Sequence, residues 1–424
     1  MKQIVFMTLM TATGLLGTFA ITPFCGVAVY YVFAVLRPQF MWEWSLPPEV
    51  PWSRIVALAT IVAALGAKLG IIRGGRGSSS RSLTKGFVAA YFVWLMVTYV
   101  MARDRATSEP QVVEYLKIFA MLAASSILIG TTRQVWTLLI SAATCIGYIA
   151  FEVNSVYFSG GGIAISRNGY GGLDNNGAGL MLAMGLPLCL SVWDNVAARW
   201  RWAFLALVPV ITHAVLMTYS RGAMLSLIFV SPLMIARTRK PARVAGLGLL
   251  FAVLALPVLA GPEIRERFFT LNDVNQDESA QSRFGSWAAG WAMACDNPIF
   301  GVGVRNANLF SKQYGADMEG RTIHSNYIQI AADNGFVGLG LYLAVLLSIF
   351  TDCHRVRQVT RRRDDVDSRR AYAVAVGVET SLATFCFGGI FLSLESFELP
   401  YLLWLLGWKS LEVTLVHTPN DVRP

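Results

Sequence analysis

The chain has 424 residues, of which 55% are apolar and 14% charged, with a formal net charge of +9 and a mean hydropathy of +0.52. That balance places it in lipid rather than in water. Its basic stretches are short and lack any DNA- or RNA-binding pattern, so nucleic acid is not an expected partner, and the positive charge reads as membrane topology and contact with anionic lipid headgroups.

Apolar runs that can cross a bilayer recur along the whole chain, at 4–36, 54–72, 86–101, 112–130, 134–151, 176–193, 200–218, 221–236, 243–260, 336–351, 371–394 and 398–416. A spanning helix needs about 20 mostly apolar residues, so the pattern predicts an all-α polytopic membrane protein of about twelve transmembrane helices, a single domain over 1–424. The first run is long enough for two short helices broken near Pro23. It has one lysine and no small-residue cleavage site ahead of further apolar sequence, so it does not read as a cleavable signal peptide.

Orientation follows from the basic residues, because short cytoplasmic loops are enriched in Lys and Arg. Arg73, Arg76, Arg81 and Lys85 share one loop, Arg199 and Arg201 a second, and Arg237, Arg239, Lys240 and Arg243 a third. A fourth runs from Arg355 and Arg357 through Arg361, Arg362 and Arg363 to Arg369 and Arg370. If the helices alternate, all four lie on one side, which is then the cytoplasm. The segments near 102–111, 152–175, 261–335 and 395–398 face outward. Cys25, Cys145, Cys189 and Cys386 fall inside apolar runs, Cys353 at a cytoplasmic end and only Cys295 in the long outer segment, so neither a disulfide there nor a zinc site is expected. Asp365-Val-Asp367 lies among arginines and reads as a solvated loop, and no metal is expected to take part.

Functional side chains concentrate in the outer segment 261–335, since a connection this long is uncommon unless it has a role. Residues 282–294 have helix-forming composition and put Arg283, Trp287 and Trp291 at i, i+4 and i+8, on one face. Such a face can grip an anionic or sugar ligand, or it can lie in the membrane interface with tryptophan as anchor and arginine snorkelling. Asp296-Asn-Pro-Ile-Phe-Gly-Val-Gly-Val-Arg305 ends the helix in a turn; with no strand before it, it is not a dinucleotide fingerprint. At the end of the segment, Arg321-Thr-Ile-His-Ser-Asn-Tyr327 supplies the one histidine of this region, His324, an imidazole able to move protons near neutral pH. Tyr219-Ser-Arg-Gly222 joins two apolar runs that contain no acidic residue. Arg221 at that junction either meets lipid headgroups or binds a phosphate or pyrophosphate as a functional group. His213, two turns earlier, either lines the same cavity or is hydrogen-bonded inside the bundle. Asp174, Asn175 and Asn176, after the glycine-rich stretch 160–172, either bind sugar hydroxyls or cap the next helix. Glu395 and Glu398, between the last two helices, are candidate partners for an arginine of the site.

Taken in order, Tyr219-Ser-Arg-Gly-Ala223, the segment from Arg283 to Gly303 ending in Asn-Pro-Ile-Phe-Gly-Val-Gly, and His324-Ser-Asn-Tyr327 followed by Asp333-Asn-Gly-Phe-Val-Gly-Leu-Gly340 resemble the signature of the O-antigen ligase and polymerase superfamily. The likeness spans residues 170–350 and the three patterns together are far more specific than any one, although they separate members of the superfamily poorly. The resemblance implies a GT-C-like glycosyltransferase of the bacterial inner (cytoplasmic) membrane, multi-pass, with one large, partly helical periplasmic loop and a periplasmic active site. Enzymes of this kind pass a glycan from undecaprenyl pyrophosphate to a hydroxyl, without cofactor or metal. In the ligase the acceptor is lipid A-core, in the polymerase another lipid-linked glycan, and in related O-oligosaccharyltransferases a protein. The ligase is the favoured reading. Carried over residue by residue, the resemblance puts catalytic roles on His324, Arg221 and Arg283, and Tyr327 keeps an aromatic residue after the histidine. Arg265, Arg267, Arg305 and Arg321 remain candidates, and Arg305, Arg321, Tyr327, Trp287, Asn175 and His213 form the expected substrate-binding set. A transporter of lipid-linked glycan is the competing class; no repeat between the halves and no evident broken central helices point to it.

Overall fold

The computed structural model describes residues 1–72, 82–161, 164–254, 278–394 and 397–416. The principal helices are α1 (Lys2–Ala20), α2 (Phe24–Leu36), α3 (Trp52–Lys68), α4 (Leu83–Val100), α5 (Arg105–Leu128), α6 (Thr132–Val156), α7 (Asn175–Trp193), α8 (Ala198–Met217), α9 (Arg221–Arg237), α10 (Pro241–Leu254), α11 (Glu278–Asp296), α12 (Asn326–Thr360), α13 (Val366–Gly388) and α14 (Glu398–Val416). Arg73, Arg76, Arg81, Arg265, Arg267 and Glu395, and the stretches 255–277 and 417–424, lie outside the described residues.

The all-α polytopic membrane architecture stands. Eight of these helices are long and apolar enough to cross a membrane, namely α1, α4, α5, α6 with its continuation to Gly160, α7, α8, α12 and α13. The other expected runs are helical as well, but they are shorter or carry charge. Helices α3 and α9 have 17 residues and α10 has 14, whereas α14 carries Lys409 and Glu412. The first apolar run divides into α1 and α2, with Pro23 at the cap of α2, where its missing N–H costs no helical hydrogen bond.

Helix starts are set by local chemistry. Asp104, Asp174, Ser220 and Asp365 each accept a backbone N–H in the first turn of α5, α7, α9 and α13, and Thr131 with Gln134 forms a reciprocal capping box on α6. Helices α7 and α13 form the centre and are largely buried, whereas α1 and α4 lie at the periphery with most of their residues not buried. Small residues allow the close approach: a Cβ on Gly185 would stand 2.2 Å from Ile146, and one on Gly377 2.5 Å from Ser191.

The two ends of the bundle differ in character. At one end, buried Glu379 of α13 is held between Arg237 of α9, at 3.1 Å, and Arg357 of α12, at 2.8 Å. Nearby Tyr372 donates to the Arg237 carbonyl, and Arg239 donates to the carbonyls of Thr360 and Arg363. On α14, Glu412 is held by Lys409 at 2.9 Å and by Lys85 of α4. Glu379→Ala leaves two guanidinium groups without their shared carboxylate, and a loss of about 3–5 kcal/mol is expected from removing one partner of a buried ion pair. It will show as a lowered melting temperature of the purified protein, with Asp364→Ala, which removes only a 94% exposed side chain paired to Arg239, as the near-neutral control.

Candidate active site at the opposite end of the bundle

The other end gathers the starts of α7, α9 and α12 and the turn after α13. Between α8 and α9 the chain reverses through Thr218 to Ser220, with Tyr219 in the left-handed region at φ 52. Ser220 Oγ accepts the Ala223 N–H, and Asn175 at the start of α7 donates to the Thr218 carbonyl at 3.1 Å. This puts Arg221 in the first turn of α9, half-buried. Beside it, Gly222 faces Phe391, whose ring lies 6.3 Å from that of Trp287 on α11. Asn326 N–H donates to the Gly389 carbonyl at 2.7 Å, which ties the start of α12 to the same turn.

His324 sits between these elements in a turn held by α11. Ser286 Oγ donates to the Ile323 carbonyl and Trp287 Nε1 to the His324 carbonyl, both at 3.1 Å. Its own backbone is left-handed, φ 57, a conformation uncommon outside glycine although less so for histidine than for most residues. Burial pushes the imidazole pKa below its ordinary value of 6.5; the charges of Arg283 and Arg321 push the same way, and Asp174 opposes them. Near neutral pH the ring is therefore neutral and able to accept a proton.

The segment after α11 closes on α12 through backbone. Val302 and Gly303 N–H donate to the carbonyls of Ala332 and Asp333 at 2.8 and 2.9 Å, and Phe336 N–H donates to the Pro298 carbonyl at 2.8 Å. Gly335 breaks α12 with φ 71 and ψ 176, and the groups freed by the break are used: Trp94 Nε1 donates to the Asn334 carbonyl, and Thr98 Oγ1 donates to its side-chain oxygen.

Over this geometry, residues 210–343 match the family model described as O-antigen ligase. Over this segment the chain is similar to the O-antigen ligase and polymerase superfamily. No curated protein matches the chain.

Within the matched segment, the structure brings His324, Arg283, Arg321 and Trp287 together, and Gly222, the residue after Arg221, faces Phe391, whose ring lies 6.3 Å from that of Trp287. Arg321 also pairs with Asp317 at 3.3 Å. Other expected residues have structural engagements. Tyr327 turns its hydroxyl to the Cys386 carbonyl at 2.7 Å, and Asn175 spends its amide on Thr218. His213 is bound to Asn154 inside the bundle and stacks on Phe158 at 5.5 Å. Asp174 caps α7. Arg305, at φ 63, precedes a short helix at 306–310 whose approach is bound to residues 103–108 through Arg103 N–H to Val302 and Ser108 Oγ to Val304. Glu398 interacts with Arg37, Glu114, Lys117 and Tyr30. The six cysteines are free, and no group of three or more His, Cys, Asp or Glu stands together among the described residues.

Sequence reading missed Arg37, left-handed at φ 50, which binds the Gly171 carbonyl and so clamps the glycine-rich stretch. Its signal was the Arg-Pro pair ending an apolar run. An apolar groove, which a polyprenyl-linked substrate would require, lies in the membrane interior. Helices α8 and α9 splay apart below their tight junction and leave an apolar groove of about 830 Å³ against α7 and α10, lined by Leu186, Pro209, Thr212, Leu227, Ile228 and Met234 among others. Leu227 lies six residues beyond Arg221 on α9, so the groove opens about 9 Å below the arginine along the helix axis.

Proposed function

We propose that this protein transfers a preassembled glycan (O-antigen) from undecaprenyl pyrophosphate to a hydroxyl of lipid A-core. The observation that carries the reading is the meeting of a neutral-biased imidazole with Arg283 and Arg321 beside the arginine-headed helix whose flank opens into a long apolar groove. A polyprenyl tail needs such a groove in lipid, and a pyrophosphate needs cationic donors above it.

The acceptor oxygen attacks the anomeric carbon while His324 takes the hydroxyl proton. The bond from that carbon to the pyrophosphate oxygen breaks, and its electron pair leaves with the pyrophosphate. Attack opposite the leaving group inverts the anomeric configuration. Arg221 and Arg283 each offer a fork of donors to the charge that develops on the leaving group, a role suited to guanidinium groups that stay ionised. On this reading the basic end around Arg237, Arg239 and Arg357 faces the cytoplasm and the site faces the periplasm of a bacterial inner membrane. The chain is then one transmembrane domain over 1–424 with a periplasmic insertion at 261–335.

The test is an in vitro transfer assay with purified protein, undecaprenyl-pyrophosphate-linked glycan and lipid A-core, with EDTA added. Glycan on lipid A-core, unaffected by EDTA and reduced about 100- to 1,000-fold in Arg221→Ala, is the expected result, on the scale of removing one transition-state charge donor. Longer lipid-linked glycan with unmodified lipid A-core would make the protein a polymerase, and glycan on a protein acceptor an O-oligosaccharyltransferase. Translocation of the lipid-linked glycan across a bilayer without transfer would make it a transporter.

A further inference from the structure

Beneath the His324 turn lies a second small core, separate from that of the bundle. Ala289 and Met293 of α11, Val302, Ala307, Ala316, Ile323 and Ala332 are buried together, with Trp287, Phe310, Tyr314 and Ile328 packed around them. Ile323 is fully buried in it and is the residue immediately before His324. An apolar cluster of mostly alanines buries little area per residue, so it holds a strained turn poorly unless other bonds fix its parts in register.

One side chain does so. Asp333, itself fully buried, accepts the Ala307 N–H with Oδ1 at 2.7 Å and the Gln329 amide with Oδ2 at 2.7 Å, while its backbone carbonyl takes the Gly303 N–H. Gln329, also fully buried, is reached in turn by Ser393 Oγ from the turn after α13, and its N–H donates to the Ser325 carbonyl, next to His324. A single carboxylate thus links the short helix at 306–310 to the first turn of α12, which follows directly on the turn that carries the imidazole.

We propose that Asp333 is a positioning residue: it locks the small core of the outer segment onto α12 and thereby fixes where His324 stands, without touching substrate. This role rests on the transfer reaction proposed above. A carboxylate taken out of water without partners is costly, so its bonds hold the segment in a narrow geometry. Loss of that geometry misplaces the base while leaving Arg221, on a different element, to bind the donor.

The experiment compares Asp333→Ala and Asp333→Asn with the unaltered protein in two readouts: transfer kinetics, and backbone hydrogen exchange over 302–310, 321–327 and the bundle helices. Asp333→Ala is expected to lower kcat by about 10- to 100-fold, the scale of a misplaced catalytic group, with donor KM within about twofold. Protection is expected to fall in 302–310 and 321–327 together while α7 and α13 keep theirs. Asp333→Asn retains an oxygen for Ala307 and is expected to restore much of both signals, because the Gln329 amide can turn to meet it. Loosening of 302–310 with 321–327 unchanged, uniform loss of protection across the bundle, or a rise in donor KM with kcat intact would each overturn the proposal. If the unaltered protein transfers no glycan, the exchange readout still decides the linkage, and the transfer reading alone fails.

Discussion

His324→Ala is expected to lower glycan transfer by about 100- to 10,000-fold, the usual contribution of a general base. The loss should fall on kcat, because the imidazole acts on the acceptor proton in the transition state, and donor binding depends on the arginines. The pH profile gives an independent check. Burial first, and then Arg283 and Arg321, hold the imidazole below its ordinary value of 6.5. As a base it works in its neutral form, so transfer is at full rate above the lowered pKa and declines as pH falls through it. The acid limb should thus lie below pH 6.5, and Arg283→Gln, which removes a charge disfavouring the imidazolium, should move that limb upward while also weakening leaving-group stabilisation. A profile flat on the acid side, or an Arg283→Gln limb displaced downward, would mean that His324 is not the base and binds phosphate instead.

Gly335→Ala is expected to be the most damaging single substitution for folding. At φ 71 and ψ 176 the residue occupies a region open essentially to glycine alone. A Cβ there would stand 2.0 Å from the Ile299 carbonyl oxygen, a backbone atom that cannot swing aside. The strain is about 1–3 kcal/mol from the dihedrals alone, and relief of the clash would peel residues 298–303 off α12, with the hydrogen bonds from Val302, Gly303 and Phe336. Loss of folded yield from membranes, or a sharply lowered melting temperature, is the outcome to look for. Gly340→Ala, five residues on in the same helix with nothing within 4 Å of its would-be Cβ, should be neutral or slightly stabilising. Equal damage from both would mean that α12 is sensitive to any added methyl group rather than to this break.

The helices were legible because an apolar run of spanning length admits few other structures in lipid, and α5 to α9 fall close to where hydropathy puts them. Arg283, Trp287 and His324 stood out for a related reason: polar and titratable groups are scarce in this chain, so their concentration in one segment marked it. The glycine and asparagine patterns around Pro298 and Asn334 were visible only as letters. Their work is a tertiary contact between two backbones some 30 residues apart in sequence, and no local propensity encodes a partner at that separation. Asp333 was hidden in the same way, since a buried carboxylate and a solvated one look alike until the groups it accepts from are brought to it. Tyr327, singled out as an aromatic beside the histidine, turns its hydroxyl to Cys386 on α13, a direction that depends on helix rotation rather than composition.

Among the described residues, the non-glycine positions in the left-handed region are Arg37, Tyr219, Arg305 and His324, and all four belong to the end of the bundle that carries the site. The buried ion pairs of Glu379 and Glu412 belong to the other. Each left-handed residue keeps a particular side chain where glycine would be more comfortable. Selection for mere robustness would drift these four positions toward glycine, and the side chains found there instead mark where durability has been given up for shape.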